Sequence, residues 1–111
     1  MLIYVSCPYS ANTHEQRQDN TERAIAGGIR LMLKGHSPLI PTLMHYVDEI
    51  AIKNNIEFTW DDYMRVCLDM LEKCDAMLYM GSSKGCDIEL EYAKNNGLKI
   101  FYSLEEIPDV A

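Results

Sequence analysis

Hydrophobic positions along this chain fall into two patterns, short β-prone runs and longer segments with helical spacing. Because the apolar runs are short and nearly continuous, they predict strands buried in a parallel sheet. Strands that alternate with helices through short loops pair through right-handed crossovers. The pattern therefore predicts one α/β domain over residues 1–111, with a three-layer, flavodoxin-like or Rossmann-like parallel sheet of four to five strands flanked by helices. The predicted strands are Leu2–Ser6, Ser37–Pro41, "DAMLYM" at 75–80 and "LKIFYS" at 98–103.

The first predicted helix follows a polar loop, "CPYSANTHEQRQ", and runs from about Thr21 to Lys34. Asn20 can cap its N-terminus, and Gly35 is a natural stop. Its larger apolar residues recur at the spacing of one helix face. They are Ile25, Ile29, Met32 and Leu33.

Three further segments predict helices. "TLMHYVDEIAIKNN" predicts a short helix and a loop. "TWDDYMRVCLDMLEKC" predicts the clearest helix, because Thr59 and Asp62 have the spacing of a capping box. The last helix runs from about Cys86 to Asn96 after the loop Gly81–Gly85, and Gly97 stops it.

The charge balance narrows the class of partner. The net charge is -7, from 17 acidic and 10 basic residues. A protein that binds a nucleic-acid polymer needs a basic face, so we expect no nucleic-acid polymer among the partners. A single nucleotide held in a pocket is compatible with this charge. No apolar run approaches the roughly 20 residues that span a membrane, and the first residues show no signal-peptide pattern. The sequence therefore predicts a mature cytoplasmic protein with no membrane partner.

The cysteines and histidines do not have the spacing of a structural zinc site. No two cysteines form a C-x-x-C pair, and the chain has only three histidines. We expect buried, reduced thiols in a cytosolic chain, and no metal or cofactor. The cysteines are Cys7, Cys67, Cys74 and Cys86, and the histidines are His14, His36 and His45.

Ligands of parallel α/β sheets bind beyond the carboxyl ends of the strands. Here that rule brings together the loop after Ser6 and the loop after Met80. The second loop, "GSSKG", lies before a helix N-terminus and suits an anion, although it lacks P-loop spacing. The candidate substrate-binding residues at these loops are Ser6, Pro8, Tyr9, Ser82, Ser83 and Gly85. His45 is a further candidate, although a histidine in such a segment is more often a surface or capping residue than a ligand.

One carboxylate, Glu89, falls near the middle of the apolar arc of the last helix, whereas Asp87 and Glu91 fall on the opposite side. A buried charged carboxylate must be paired, protonated or at the lip of a cavity. In the first helical turn, where we place it, the helix dipole favours a negative charge. Two interpretations stay open, a catalytic carboxylate or a structural one that caps backbone N–H groups or pairs with Arg65.

Four motifs together resemble the nucleoside 2-deoxyribosyltransferase superfamily, especially its small phage and bacterial members. The motifs are "IYVSCPYS", "GHSPLIP", "LEKCDAMLYM" and "SSKGCDIELEYAKNNGLKI", and the resemblance covers about residues 2–103. In that family a Gly precedes the nucleophilic Glu by four residues, as Gly85 precedes Glu89. The resemblance implies that Glu89 attacks C1′ of a deoxyribose and displaces the base, with Tyr4 beside the reacting centre. Ser83 stands where the monophosphate-hydrolysing branch carries a phosphate-binding Ser.

Two positions depart from the family pattern. Cys67 stands where the family usually has a second carboxylate, and a thiol is a poor substitute for one. His45, Asp61 or Asp62 are the alternatives for that role. Ser10 lies near the position where the monophosphate hydrolases carry an Arg, and the charge would then have to come from one of two arginines, Arg17 or Arg23.

The leading hypothesis is therefore an N-glycosidase or deoxyribosyltransferase-like enzyme that acts on a nucleoside or nucleoside 5′-monophosphate, with Glu89 and Tyr4 as catalytic residues. A non-catalytic nucleotide-binding module on the same fold is the alternative, motivated by Cys67. A third possibility is an interaction protein on an α/β scaffold. A domain this small has short cavity walls that enclose a ligand poorly, and members of the resembling family often complete their site with residues of an adjacent subunit. We therefore expect a homodimer or higher homo-oligomer.

Overall fold

Residues 1–110, described by a computed structural model, contain four strands and four α-helices, with two short 3-10 helices at Pro41–Leu43 and Leu104–Glu106. The strands are β1 (Leu2–Ser6), β2 (Ser37–Leu39), β3 (Ala76–Tyr79) and β4 (Lys99–Phe101). The helices are α1 (His14–Leu33), α2 (Met44–Lys53), α3 (Trp60–Leu71) and α4 (Lys84–Asn95).

The strands form one parallel sheet in the order β2-β1-β3-β4. This is the order of the first four strands of a flavodoxin-like doubly wound sheet, which changes direction between β1 and β3. Ser6, the last residue of β1, pairs with Tyr79, the last residue of β3, so the loops that follow them start side by side. The predicted three-layer α/β fold is confirmed.

Alternate residues of β1 enter two separate hydrophobic clusters, one on each face of the sheet. Ile3 and Val5 pack in the cluster that contains Leu31 of α1. Tyr4 packs in the other cluster, with Leu71 of α3 and Met77 of β3. The central strand therefore contributes an aromatic hydroxyl to an otherwise largely apolar layer.

The start of the first helix differs from the prediction. α1 begins at His14 and not at Thr21, because Thr13 caps it by accepting the Gln16 N–H at 3.1 Å. Asn20 is inside the helix, where its side-chain amide donates to the Tyr9 carbonyl at 2.9 Å. The added turns are polar, so the spacing of apolar residues did not reveal them.

The buried face of α1 is also different from the predicted one. Ile29, Met32 and Leu33 are exposed. Small residues face the sheet instead and let the helix approach it closely, since a Cβ at Gly28 would lie 2.4 Å from Ile40 Cδ1. The buried residues of α1 are Thr21, Ala24, Gly27, Gly28 and Leu31.

The remaining helix boundaries follow the predicted signals more closely. The capping box of α3 is present, with the Thr59 N–H donating to Asp62 at 2.8 Å. Gly35 and Gly97 end their helices with φ of 88° and 72°, which favour glycine. Cys74 lies beyond the end of α3, but it is buried and free like the other three cysteines. No helix within residues 1–110 has the length and hydropathy needed to cross a membrane.

Two leucines of α1 test which face of that helix is structural. Leu31 is completely buried and Leu33 is 78% exposed. We expect Leu31→Ala to lower the free energy of unfolding by about 2–5 kcal/mol. The matched variant Leu33→Ala should change it by no more than about 0.5 kcal/mol, because its side chain is in water. Urea unfolding of both variants measures the difference, and equal losses would contradict the orientation of α1.

Candidate active site

The carboxylate of Glu89 is held at the carboxyl end of β1, where only 6% of the residue is exposed. Ser83 caps α4 by accepting the Cys86 N–H at 3.1 Å, so the helix begins at Lys84. Glu89 therefore lies in the second helical turn, which corrects the expectation of the first turn. Its burial agrees with its predicted position on the apolar arc.

Both carboxylate oxygens of Glu89 accept hydrogen bonds from β1. The Tyr4 hydroxyl donates to Oε2, and the Ser6 hydroxyl donates to Oε1 at 2.8 Å. Arg65, the cation considered as a structural partner, is exposed. Two neutral hydroxyls thus hold the carboxylate in place of a salt bridge to that arginine.

Burial dominates the electrostatics around Glu89. Desolvation raises the pKa of Glu89, and the hydrogen bonds from Tyr4 and Ser6 oppose this shift. Burial and, after it, the nearby Glu89 charge raise the pKa of Cys67 to about 11. The same two causes raise the pKa of Tyr4 well above its usual value. At neutral pH Tyr4 is therefore a hydroxyl donor and Cys67 is a neutral thiol.

A cavity of about 170 Å³ opens in front of Glu89. Five of the predicted site residues line it, and Cys67, which stands where the resembling superfamily has a carboxylate, lines it too. The other four predicted residues lie elsewhere: Tyr4 and Ser6 bond to Glu89 from β1, whereas Pro8 and Ser82 are outside the lining. The five lining residues are Tyr9, His45, Ser83, Gly85 and Glu89.

Ser82 has a different partner in the structure. Its hydroxyl donates to the Asp87 carboxylate at 2.8 Å, and the Tyr79 hydroxyl donates to the same carboxylate at 2.7 Å. These bonds lower the pKa of Asp87, with the bond from Tyr79 as the larger cause. Asp87 therefore organises the exposed side of the loop, while Ser83 faces the cavity.

Sequence reasoning missed a second carboxylate in the cavity wall. Asp48 of α2 lines the cavity and accepts a hydrogen bond from the Tyr63 hydroxyl at 2.6 Å. Trp60, Tyr63 and Met64 of α3 line the same wall. Their spacing of three and four residues was a usable signal for one helix face, but nothing in the local sequence shows that α2 lies opposite.

The three residues that the resemblance offers as alternatives to a carboxylate at Cys67 lie in different places. His45 lines the cavity, whereas Asp61 is exposed and outside the lining. Asp62 caps α3, and the bonds from Thr59 lower its pKa. Asp48, unlike Asp61 and Asp62, is a carboxylate that already lines the cavity.

The two candidate arginines lie outside the cavity lining. The Arg17 guanidinium donates to the Ala11 carbonyl at 2.8 Å, within the loop that precedes α1. Arg23 is exposed on α1. Ser10, the residue near the position where the resembling monophosphate hydrolases carry an Arg, does line the cavity.

Fold and site together define a class, a small parallel α/β domain with a buried carboxylate facing a cavity where the strand order changes direction. The family described as "Domain of unknown function (DUF4406)" matches residues 1–102, and the chain belongs to this family. No curated protein matches the chain.

Because the pKa of Glu89 is raised, we predict that ionisation of Glu89 lowers the free energy of unfolding as the pH rises. A carboxyl group whose pKa is higher in the folded state stabilises the fold below its unfolded pKa, and this contribution is lost as pH rises through the folded pKa. We therefore expect Glu89→Gln to gain stability relative to wild type between pH 4 and pH 7. Urea unfolding across this range measures the difference.

Glu91→Gln is the matched control, because it removes one negative charge from the exposed side of the same helix. A Glu89→Gln protein that instead loses stability relative to wild type as pH rises would show that the hydrogen bonds outweigh burial. Glu89 would then be a structural carboxylate.

Proposed function

We propose that this protein is an N-glycosidase or deoxyribosyltransferase-like enzyme that cleaves the N-glycosidic bond of a nucleoside or nucleoside 5′-monophosphate. The observation that carries the proposal is the environment of Glu89, a nearly buried carboxylate at a cavity wall whose partners are the hydroxyls of Tyr4 and Ser6. The resemblance of the "SSKGCDIELEYAKNNGLKI" motif to the nucleoside 2-deoxyribosyltransferases supports the same assignment.

In the proposed reaction a Glu89 oxygen attacks C1′ of the sugar through an oxocarbenium-like transition state. The C1′–N bond breaks, and its electron pair leaves with the base, which takes up a proton. Water, or a ring nitrogen of a second base, then attacks C1′ of the glycosyl ester and gives up a proton, which balances the proton that the departing base took up. That step releases the Glu89 carboxylate and completes hydrolysis or transfer.

Burial of the nucleophile favours the first step. A buried carboxylate is destabilised by the loss of its hydration. When it bonds to C1′ it becomes a neutral ester, so this destabilisation is removed as the covalent bond forms. The hydroxyls of Tyr4 and Ser6 aim the carboxylate and stabilise its charge when it leaves C1′ in the second step. Tyr4 and Ser6 therefore position and stabilise Glu89.

We assign the second carboxylate of the site to Asp48. It faces the cavity, and the Tyr63 hydroxyl orients it at 2.6 Å. In this proposal Asp48 binds the sugar or assists the departing base, a role that the neutral thiol of Cys67 cannot perform. The aromatic wall of Trp60 and Tyr63 suits a nucleobase, and Ser83 and Gly85 lie at the α4 N-terminus, which suits a 5′-phosphate.

The second candidate function is a nucleotide-binding module without catalysis. Cys67 favours it, because a neutral thiol occupies the cavity where the resembling family has a carboxylate. Such a module would bind a nucleoside monophosphate in the same cavity and release no base.

We also propose that the chain forms a homodimer or higher homo-oligomer. The cavity of about 170 Å³ is smaller than the about 300–1,000 Å³ of sites that enclose a drug-sized ligand, so a neighbouring chain would complete the walls. α2, which contributes to those walls, presents Val47 and Ile50 to solvent, and Leu43, just before its start, continues their helical spacing. This apolar stripe is the proposed contact.

A base-release assay tests the proposed reaction. The protein is incubated with nucleosides and their 5′-monophosphates, in both ribo and deoxy forms, and free base is measured by chromatography. We expect release by wild type from at least one substrate. Glu89→Gln should reduce the rate by about 10³-fold or more, because it removes the nucleophile, and Tyr4→Phe should reduce it by roughly 10²-fold.

Glu91→Gln is the control and should retain the wild-type rate. No release from any substrate, combined with a monophosphate that raises the melting temperature, would replace the enzyme by the binding module. Equal release by wild type and Glu89→Gln would remove Glu89 from the mechanism.

Light scattering coupled to size-exclusion chromatography tests the oligomer. We expect wild type to show at least twice the 12.7 kDa mass of the chain. Ile50→Asp should lower the mass towards the monomer, because it places a charge in the proposed contact. Ile52→Asp is the matched control, since Ile52 is equally exposed, at 61% against 60%, on another side of α2. A wild-type monomer at working concentration would contradict the proposal.

A further inference from the structure

We propose that His14, His45 and Glu49 form a binding site for a divalent transition-metal ion such as Zn²⁺. One ligand atom from each residue lies within 4.8 Å of the others. The site goes beyond the proposed function, which uses no metal, and it was not predicted from the sequence. The overlooked signal was the four-residue spacing of His45 and Glu49 within "HYVDE".

Two helices bring the three side chains together. His45 and Glu49 are one turn apart on α2, and His14 is the first residue of α1. The Glu49 carboxylate oxygen Oε1 lies 2.6 Å from His14 Nε2 and 3.2 Å from His45 Nε2. A tetrahedral ion at about 2.0–2.1 Å from each ligand separates the ligand atoms by roughly 3.3 Å, so small side-chain rotations would admit one.

The surroundings of His45 are those of a metal-binding imidazole. Only 3% of His45 is exposed, and its Nδ1 lies 2.7 Å from the Tyr9 hydroxyl. Both partners of Nε2, Gln18 Oε1 and Glu49 Oε1, are acceptors, so Nε2 carries the hydrogen and Nδ1 accepts from the Tyr9 hydroxyl. Binding of an ion would move this hydrogen to Nδ1, which would then donate to the Tyr9 oxygen and leave Nε2 as an electron-pair donor, the orientation typical of metal-bound histidines. The Gln18 Oε1 atom, 3.0 Å from the same Nε2, adds another oxygen. A cation at this position would replace the protons that the two imidazole nitrogens share with these oxygens.

The ligand set indicates the class of ion. Two imidazoles with one carboxylate suit zinc and other borderline first-row ions, whereas magnesium and calcium prefer oxygen ligands throughout. Because His45 and Tyr9 also line the cavity in front of Glu89, an ion here would fix the start of α1 against α2 beside that cavity.

Cobalt and zinc binding to the full-length chain tests the site. After treatment with a chelator, the protein is titrated with Co²⁺, followed by its visible absorption, and then with Zn²⁺ in competition. We expect saturation at one ion per chain and no thiolate-to-cobalt charge-transfer band, which distinguishes this site from the four cysteines. His14→Ala and Glu49→Gln should each weaken the affinity by at least about 10-fold, and Tyr9→Phe should weaken it less.

Glu15→Gln is the matched control, because Glu15 is an exposed acid beside His14 that lies outside the cluster. It should retain the wild-type affinity. Zn²⁺ should also raise the melting temperature of wild type but not of His14→Ala, which replaces a side chain that is 63% exposed. Absence of saturable binding, unchanged affinity in both ligand variants, or a thiolate band would each overturn the proposal.

Discussion

The hydrogen bonds from Tyr4 and Ser6 to Glu89 are the constraint on which the site depends. They join the central strand β1 to helix α4, and they satisfy both oxygens of a carboxylate that water hardly reaches. An unpaired charge at this depth would be expensive, so strand and helix must keep their relative positions. Strand β1 therefore sets the orientation of the Glu89 carboxylate through the two hydroxyls that donate to it.

The same arrangement embeds the site in the core. Tyr4 belongs to the hydrophobic cluster that contains Cys67 and Leu71, so the chemistry of the cavity is decided by burial. Burial keeps the Cys67 thiol and the Tyr4 hydroxyl protonated, while it raises the pKa of Glu89. A buried charged carboxylate lowers the free energy of unfolding, and groups that are unfavourable to stability in this way are characteristic of functional sites. The proposed nucleophilic role relieves this cost when an ester forms.

Prediction from the sequence succeeded where the signal lay in neighbouring residues, and it failed where a helix had polar first turns and a buried face of small residues. The capping box of α3 and the glycine stops involve neighbouring residues, so they were visible in the sequence. The first turns of α1 contain almost no apolar residue, and its buried face relies on alanine and glycine, so the larger exposed side chains suggested the wrong face. The close approach of Gly28 to Ile40 is a property of packing and not of periodicity.

The sequence by itself determined the order of strands and helices, the shared face of Tyr4 and Ser6, and the inward direction of Glu89, because strand and helix periodicities are local properties. Only the tertiary structure decided that Tyr4 and Ser6 meet Glu89, that Asp48 faces the cavity, and that His14 reaches Glu49. These contacts join residues far apart in the chain. They arise from the placement of α2 and from the early start of α1, which depend on how whole elements pack.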